Sequence, residues 1–224
     1  MGASNMKLII VSPKYQMNVG YIARLAKNFG IEKLHIVKPR ANIKGKKAIM
    51  FSKHAHALLE NASIYESLEN AIKGCDIVIG TTGLIKKANP NVRKFYYADE
   101  LEGLCKGKNV CLVIGRDDTG LTSEELDLCD VVAYIPTSKD YPVLNISHAV
   151  AILLFLLRRN AFKESKKVEK EYMREKEILI RLFENAIKNK RIRDKKHVAR
   201  IFRKIINRAE PNMHELRSLM LAFK

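Results

Sequence analysis

Pairs of closely spaced cysteines are missing from this 224-residue sequence. None of the four cysteines forms a C-x-x-C pair, and the six histidines form no ligand box beyond the HAH stretch at 54–56. We therefore expect reduced thiols in the core and no bound metal.

Long hydrophobic runs are also missing. The longest, AVAILLFLL at 149–157, is about half the length that crosses a bilayer, and no cleavable signal opens the sequence. We expect a cytoplasmic protein that no segment anchors in a membrane. Residues 1–6 are interpreted as a tag remnant or a disordered start.

Glycine-rich phosphate-binding loops are missing as well. A dinucleotide site would show G-x-G-x-x-G after an early strand and a P-loop would show G-K-[ST], and neither pattern occurs. Nucleotide phosphates are therefore poor candidates for the ligand.

Acidic residues are few: 24 Asp and Glu stand against 41 Lys and Arg, a formal net charge of +17. From residue 158 onward, 21 basic residues face 9 acidic ones. The positive charges of this segment repel one another unless a bound polyanion compensates them. Nucleic acid is the leading partner, with an acidic membrane surface or an acidic protein as alternatives.

Short β-branched runs alternate with helical patterns through the first two thirds of the chain. This alternation predicts an α/β domain, a parallel sheet with helices on both faces. The predicted strands lie at 7–13, 33–39, 63–65, 76–82, 109–115 and 131–136. The predicted helices lie at 18–30 and 46–60, before the KGCD stretch at 73–76, at 98–104, from 122, and at 145–162.

The last third contains no strand pattern. Residues 168–189, 193–208 and 212–223 read as three helices, with Asn212 and Glu215 as a capping box for the third. The apolar helix at 145–162 should be buried on most of its surface, against the sheet or a second subunit. We predict a domain at 7–162 and a small, basic, all-helical extension at 163–224.

Three loops fall at the carboxyl ends of predicted strands, where open parallel sheets bind ligands. They contain GTTG at 80–83, GRDDTGLTSEEL at 115–126 and IPTSKDYPVLNISHAV at 135–150. Asp117 and Asp118 would cap the next helix, organise an arginine or face a ligand with a positive centre. A fourth segment, 18–30, reads as an amphipathic helix capped by Asn18 and closed by Gly30, which leaves Arg24 unexplained by packing.

Three of these stretches, N-V-G-x-x-A-R-x-A-K-N-F-G, I-G-R-D-D-T-G-L and I-P…L-N-I-S-x-A, occur together and in order. They resemble the three motifs of the SpoU/TrmH group of SPOUT methyltransferases, RNA enzymes that use S-adenosylmethionine. The resemblance covers residues 7–162. It implies a C-terminal trefoil knot in the domain and a homodimer whose sites lie at the interface.

The resemblance also implies site residues. Arg24 would fix the substrate phosphate and ribose, since a guanidinium rarely loses its proton. Asn18, Asp117 and Asn145 would complete the catalytic set, with Asp117 where the family usually has glutamate. The cofactor pocket would be lined by Thr81, Thr82, Gly83, Gly115, Ile135, Pro142, Val143 and Leu144, with Val143 in place of the usual serine.

The implied activity is methyl transfer from S-adenosylmethionine to a ribose 2′-hydroxyl of tRNA, without a metal. The tail resembles the branch of the group that modifies nucleotide 32 of the anticodon loop. Ribosomal RNA methylation and a non-catalytic nucleic-acid-binding protein are the alternatives. The residues expected to contact RNA are Arg116, Arg191, Arg193, Lys195, Lys196, Arg200, Arg203 and Lys204.

Overall fold

Two compact units divide the chain, Met1–Phe162 and Lys163–Lys224. The computed structural model describes residues 6–85, 93–161 and 166–223, with the side chains of 166–170 left out. The expected start segment at 1–6 lies outside the described residues except for Met6, and so does the junction at 162–165.

The first unit is built on seven parallel strands in the order β3-β2-β1-β6-β4-β7-β5. Each predicted strand is present, so the prediction of a parallel α/β domain is confirmed. The strands are β1 (Met6–Val11), β2 (Leu34–Val37), β3 (Ser63–Tyr65), β4 (Ile77–Thr82), β5 (Phe95–Tyr97), β6 (Val110–Ile114) and β7 (Val131–Tyr134).

Successive side chains of a strand point to opposite faces of the sheet. Leu8 and Ile10 of β1 enter one hydrophobic cluster, and Ile9 and Val11 enter another on the opposite face. All four are at most 1% exposed. Both faces are therefore covered, which is why these strands read as continuous apolar runs.

Ten α-helices accompany the sheet within the described residues. In the first unit they are α1 (Gln16–Asn28), α2 (Lys46–Ser52), α3 (His56–Glu60), α4 (Leu68–Ala71), α5 (Glu102–Cys105), α6 (Ser123–Asp127) and α7 (Ile146–Arg158). In the second they are α8 (Lys166–Ala186), α9 (Lys195–Ala209) and α10 (Met213–Leu221).

Three elements differ from the sequence prediction: β5, the helix expected over 46–60, and the helix expected over 98–104, which is a 3₁₀ turn at Ala98–Glu100 followed by α5. β5 was not predicted, because three residues at the sheet edge that pair only with β7 give no clear alternation. The single helix expected over 46–60 is two helices joined by a 3₁₀ turn, and Lys53 in that turn has a positive φ of 52°.

Helix ends show which capping predictions hold. The Asn18 cap is wrong: α1 begins at Gln16, and its N-cap Tyr15 makes no side-chain cap. Gly30 closes the helix as expected, with φ +64°, while the Ile31 amide donates to the Ala26 carbonyl at 2.8 Å.

Side chains also cap α7 and α10. The Asn145 side chain accepts from the Ser147 amide at the start of α7. Asn212 and Glu215 form the predicted capping box of α10.

The cysteine prediction is wrong for two of four residues. Cys75, just before β4, and Cys111, in β6, form a disulfide with a Cα–Cα distance of 5.9 Å. Their separation of 36 residues gave no sign of this proximity. Cys105 and Cys129 are free thiols. Burial raises the pKa of Cys105 to about 11 and that of Cys129 to about 12, which makes them unreactive at neutral pH.

The apolar helix α7 is buried on one face only. Val150, Leu153 and Leu154 are at most 1% exposed, whereas Phe155 is 55% exposed and Ile152 is 37% exposed. The expectation of burial on most of its surface therefore does not hold within one chain. No helix among the described residues is long and apolar enough to cross a membrane.

The second unit is a small helical cluster with its own core. Leu179 of α8, Ile206 of α9, and Leu216 and Met220 of α10 form a buried group. The rings of Phe183 and Phe202 stack with centroids 3.9 Å apart.

Candidate active site

A cavity of about 360 Å³ opens at the carboxyl ends of β4, β6 and β7. Three loops form its wall: 81–84 after β4, 114–121 after β6 and 142–144 before α7. All eight residues expected at the cofactor are among those lining it, namely Thr81, Thr82, Gly83, Gly115, Ile135, Pro142, Val143 and Leu144.

At two glycines, the wall of this cavity is formed by backbone atoms. At Gly83, a Cβ atom would lie 3.5 Å from the Val143 side chain, on the cavity wall. At Gly115, it would lie 2.2 Å from the carbonyl carbon of Gly120, because Arg116 and Gly120 form a narrow antiparallel bridge. Only glycine at 115 lets the loop fold back so tightly.

A chain of polar contacts joins three segments beside the cavity. The Asn18 side-chain amide donates to the Asp117 carboxylate at 2.5 Å. The Asn145 side-chain amide donates to Oδ1 of the Asn18 side chain at 3.2 Å. The Ser147 hydroxyl donates to Asn145 at 2.8 Å. Three of the four residues expected in the catalytic set are therefore brought together, and Asn18 is only 8% exposed.

Besides its contact with Asn18, the Asp117 carboxylate binds backbone N–H groups at the start of α1. It accepts the backbone N–H of Lys14 at 2.7 Å and that of Tyr15 at 3.4 Å. The carboxylate thus holds the two backbone N–H groups that directly precede the helix, and its negative charge lies near the positive end of the helix dipole. Asp117 therefore contacts the start of α1 and also belongs to the lining of the cavity.

Arg116 is engaged inside its own loop. Its guanidinium donates to both oxygens of Glu125, at 2.7 and 2.8 Å, and to the Gly120 carbonyl at 3.2 Å. The hydrogen bonds to Glu125 raise the pKa of Arg116 further. The Arg116 side chain is only 15% exposed and holds its own loop together, and its expected contact with RNA stays a prediction.

The acidic pair does not cap the following helix. α6 begins at Ser123, and Thr122 with Glu125 forms its capping box. Asp118 instead pairs with Lys14 at 3.3 Å, and the hydrogen bond from Lys14 lowers the pKa of Asp118. The expected helix-start role of Asp118 is therefore wrong. The T-x-x-E spacing of 122–125 was the sequence signal that could have located the cap.

Arg24 lies away from these contacts. It is exposed on α1 and lines a different cavity of about 470 Å³, with Lys27, Lys53 and His54. In one chain, the structure does not bring Arg24 to the cavity at the strand ends. The hydrogen bonds described for the Asn18 side chain go to Asp117 and Asn145, and none of them goes to Arg24.

The basic residues of the second unit divide into two groups. Lys195, Lys196, Arg200 and Arg203 line a cavity of about 450 Å³, whereas Arg191, Arg193 and Lys204 are exposed outside its lining. Arg203 is committed to an ion pair, since it donates to both oxygens of Glu177 at 3.0 and 3.1 Å. This pairing lowers the pKa of Glu177.

Metal ligands do not gather anywhere in the part of the chain that the structure describes: no group of three or more His, Cys, Asp or Glu side chains is placed to hold an ion. The cavity at the strand ends offers backbone groups, threonine hydroxyls and apolar side chains, together with the charged side chains of Arg116, Asp117 and Asp118. Those groups suit an organic ligand with a flat ring and polar edges.

Comparison with known proteins identifies the family. The model of the SpoU rRNA Methylase family matches residues 5–155. The chain belongs to the SpoU methylase family. The matched region contains the three cavity loops and the Asn18–Asp117 contact.

Two curated relatives of this SpoU methylase are similar over nearly their full length. The tRNA (cytidine-2′-O-)-methyltransferase TrmJ of Methanocaldococcus jannaschii is 40% identical, over 98% of each chain. The tRNA (cytidine/uridine-2′-O-)-methyltransferase TrmJ of Photorhabdus laumondii is 30% identical, over 96% of this chain and 93% of that one.

A solved structure shares the SpoU methylase fold of this chain. The crystal structure of TrmJ from Z. mobilis ZM4 aligns over 96% of each chain with a TM-score of 0.65 and 20% identity. At that identity the likeness shows the fold alone.

Proposed function

We propose that this protein is an S-adenosylmethionine-dependent methyltransferase that modifies a ribose 2′-hydroxyl of tRNA. The observation that carries the proposal is the cavity at the ends of β4, β6 and β7, formed by three loops of a SpoU methylase. The names of the two similar TrmJ relatives support tRNA as the substrate. We infer nucleotide 32 as the target from the likeness of the tail, and the cytoplasm as the place of action.

S-adenosylmethionine, when bound, supplies a methyl group on a positively charged sulfur, so its transfer to oxygen needs no metal. The cavity fits this cofactor because its lining combines many apolar side chains with the carboxylates of Asp117 and Asp118, which suit a ligand with a positive centre. Loops 81–84 and 142–144 would hold the adenine end through backbone groups. Gly115 would keep the third loop, 114–121, folded tightly beside the cofactor, since a side chain at 115 would push Gly115 and Gly120 apart.

The chain's own residues would act by orientation. Asn18, Asp117 and Asn145 fix α1, the β6 loop and the start of α7 to one another, so the rim is preorganised before RNA arrives. Arg24 would bind a phosphate beside the target ribose and keep its proton. The 2′-oxygen would form a bond to the methyl carbon as the carbon–sulfur bond breaks, and the hydroxyl proton would leave to solvent or to the neighbouring phosphate.

A homodimer would unite these parts. Helices α1 and α7 pack against each other and leave apolar side chains exposed, namely Met17, Tyr21, Ile152 and Phe155. Burying this surface in a second copy would remove it from water, and Arg24 of one copy could then reach the cavity of the other. We also propose that the chain is threaded into the family's trefoil knot. The strand order supports this, because β7 lies between β4 and β5.

The test is transfer of tritiated methyl from S-adenosylmethionine to unmodified tRNA transcripts, followed by nucleoside mapping. We expect a single 2′-O-methyl nucleoside in the anticodon loop. Arg24→Ala should abolish transfer while calorimetry shows nearly unchanged cofactor binding. Absence of any 2′-O-methyl nucleoside would refute the proposal.

Ribosomal RNA is a second candidate substrate, because the matching family model is described by rRNA methylation. Naked ribosomal RNA should therefore be assayed beside tRNA at equal nucleotide concentration. Preferential methylation of ribosomal RNA would overturn the choice of tRNA and keep the chemistry.

A further inference from the structure

A second cavity of the first unit, about 470 Å³, is lined by residues of α1 and of the turn that follows α2. Four of its residues carry basic side chains and none carries a carboxylate. Its lining is Arg24, Lys27, Asn28, Ser52, Lys53, His54 and Ala55. This concave, basic surface belongs neither to the cofactor cavity nor to the hydrogen-bonded residues Asn18, Asp117 and Asn145.

Close packing of two helices builds this cavity. A Cβ atom on Gly20 would lie 2.5 Å from the Ala48 carbonyl oxygen and 2.8 Å from the Phe51 Cβ atom. Glycine therefore lets α1 approach α2 closely, and Arg24 follows Gly20 by one turn on the same face of α1. Lys27 then donates from Nζ to the His54 carbonyl oxygen at 2.5 Å, which fixes the turn against α1.

Lys53 has an unusual backbone for its residue type. Its φ is +52° and its ψ −122°, a conformation that glycine adopts freely and that strains a residue with a Cβ atom. Its side chain is exposed, so packing does not require a lysine there. Because glycine fits this conformation without strain, any loss caused by Lys53→Gly would report on the lysine side chain rather than on the backbone.

We propose that this cavity binds a backbone phosphate of the RNA, with Lys53 and His54 as positioning residues beside Arg24. The inference rests on the proposed function and adds the residues that would receive the chain next to the target nucleotide. An ammonium, a guanidinium and an imidazole together offer donors to several phosphate oxygens. With no carboxylate in the lining, the cavity attracts an anion and repels cations such as a free amine.

Lys53→Gly is the sharpest variant, because it removes the charge and the strain together. Lys38→Gly is its matched control, since Lys38 is also an exposed lysine with positive φ, at +43°, and lies outside this cavity. Both variants should melt at the same temperature as the parent protein or higher. Only Lys53→Gly should weaken tRNA binding, about threefold or more near physiological salt, and lower the slope of log affinity against log salt by about one.

His54→Gln and Lys53→Arg complete the set. His54→Gln should raise the KM for tRNA and leave cofactor affinity unchanged, whereas Lys53→Arg should restore tRNA binding because it keeps the positive charge. A merely structural role for the turn would change the melting temperature and leave the salt slope intact. Identical salt slopes for the parent protein, Lys53→Gly and His54→Gln would overturn the inference even if tRNA is methylated normally.

The experiment separates this inference from the proposed function. If the parent protein methylates no RNA, the proposed function fails, and the same variants still report phosphate binding through tRNA affinity. Inorganic phosphate is the second probe. Should phosphate stabilise the parent protein but not Lys53→Gly while tRNA affinity is equal for both, the site would take free phosphate and the assignment to RNA would be wrong.

Discussion

Asn18 and Asp117 lie 99 positions apart in the chain, and their side chains meet in a 2.5 Å hydrogen bond. The contact joins the first turn of α1 to the loop after β6. Through Asn145, which donates to Asn18, it continues to the start of α7. Three segments that line or flank one cavity are thereby held in a fixed arrangement, which is what orientation catalysis requires.

Replacing Asp117 by Asn should loosen this arrangement. The carboxylate accepts three N–H groups, from Lys14, Tyr15 and Asn18, and an amide has one acceptor oxygen and no charge. We expect a loss of about 2 kcal/mol in the free energy of unfolding and weaker cofactor binding, measured by urea denaturation and calorimetry. Asp118→Asn is the control and should change little, because its pair with Lys14 is exposed. Equal effects of the two variants would contradict this role for Asp117.

Arg116→Lys tests whether the arginine holds its loop or binds RNA. A lysine cannot reproduce the two parallel bonds to Glu125, so we expect a loss of about 1 to 2 kcal/mol in stability. Glu125→Gln should show a similar loss, and the double variant should lose less than the sum of the two. If Arg116→Lys leaves stability unchanged and weakens tRNA binding, the RNA role expected from the sequence is the correct one.

His35 should make the first unit less stable in acid. Burial, followed by the charges of Lys7 and Lys33, lowers the pKa of His35 from 6.5 to about 4. Between these values the unfolded chain binds a proton that the folded chain excludes. Stability is therefore fully present above pH 6.5 and falls as the pH drops towards 4, by about 3 kcal/mol in all.

Urea denaturation at several pH values measures this dependence. His35→Gln should flatten the curve between pH 6.5 and 4, although it also removes the hydrogen bond to the Tyr65 hydroxyl at 2.9 Å. His56→Gln, at an exposed position, is the control and should keep the slope of the parent protein. An unchanged slope in His35→Gln would show that other groups carry the acid sensitivity.

The basic cavity of the second unit should contribute to RNA affinity through charge. We expect the triple change Lys195→Gln, Lys196→Gln, Arg200→Gln to lower the salt slope of tRNA binding by about two to three and to leave cofactor affinity intact. Filter binding across a salt series measures the slope. A triple glutamine variant at Lys73, Lys106 and Lys108 is the control, because these exposed lysines precede β4 and β6, at the strand ends opposite the cofactor cavity. Equal slopes in both variants would point to a uniform charge effect.

Arg203 is kept out of that triple variant for a structural reason. It is held by Glu177, whose pKa the arginine lowers. A carboxylate with a lowered pKa stabilises the fold above its usual titration range, and this contribution is lost as the pH falls through the lowered value. Replacing Arg203 would therefore mix a stability effect with an RNA effect.

Local sequence patterns predicted most of the secondary structure. Strands at β1, β2, β4, β6 and β7 were predictable because apolar runs between turn residues need burial on both sides. Gly30 and Asn212 were predictable as helix ends because capping depends on neighbours three or four positions away. The GTTG loop and two of the three motifs contain the residues predicted at the cofactor, at 81–83, 115, 135 and 142–144, and all of them line the cavity.

Other features depend on contacts between distant segments. Asp117 faces the start of α1, and Asn145 reaches Asn18 across 127 positions. Cys75 meets Cys111 because β4 and β6 are adjacent in the sheet. Lys53 and His54 join Arg24 because Gly20 lets two helices approach. Periodicity and spacing report which face of an element is buried, but they contain no information on which element covers it, so these partners were decided only by the tertiary structure.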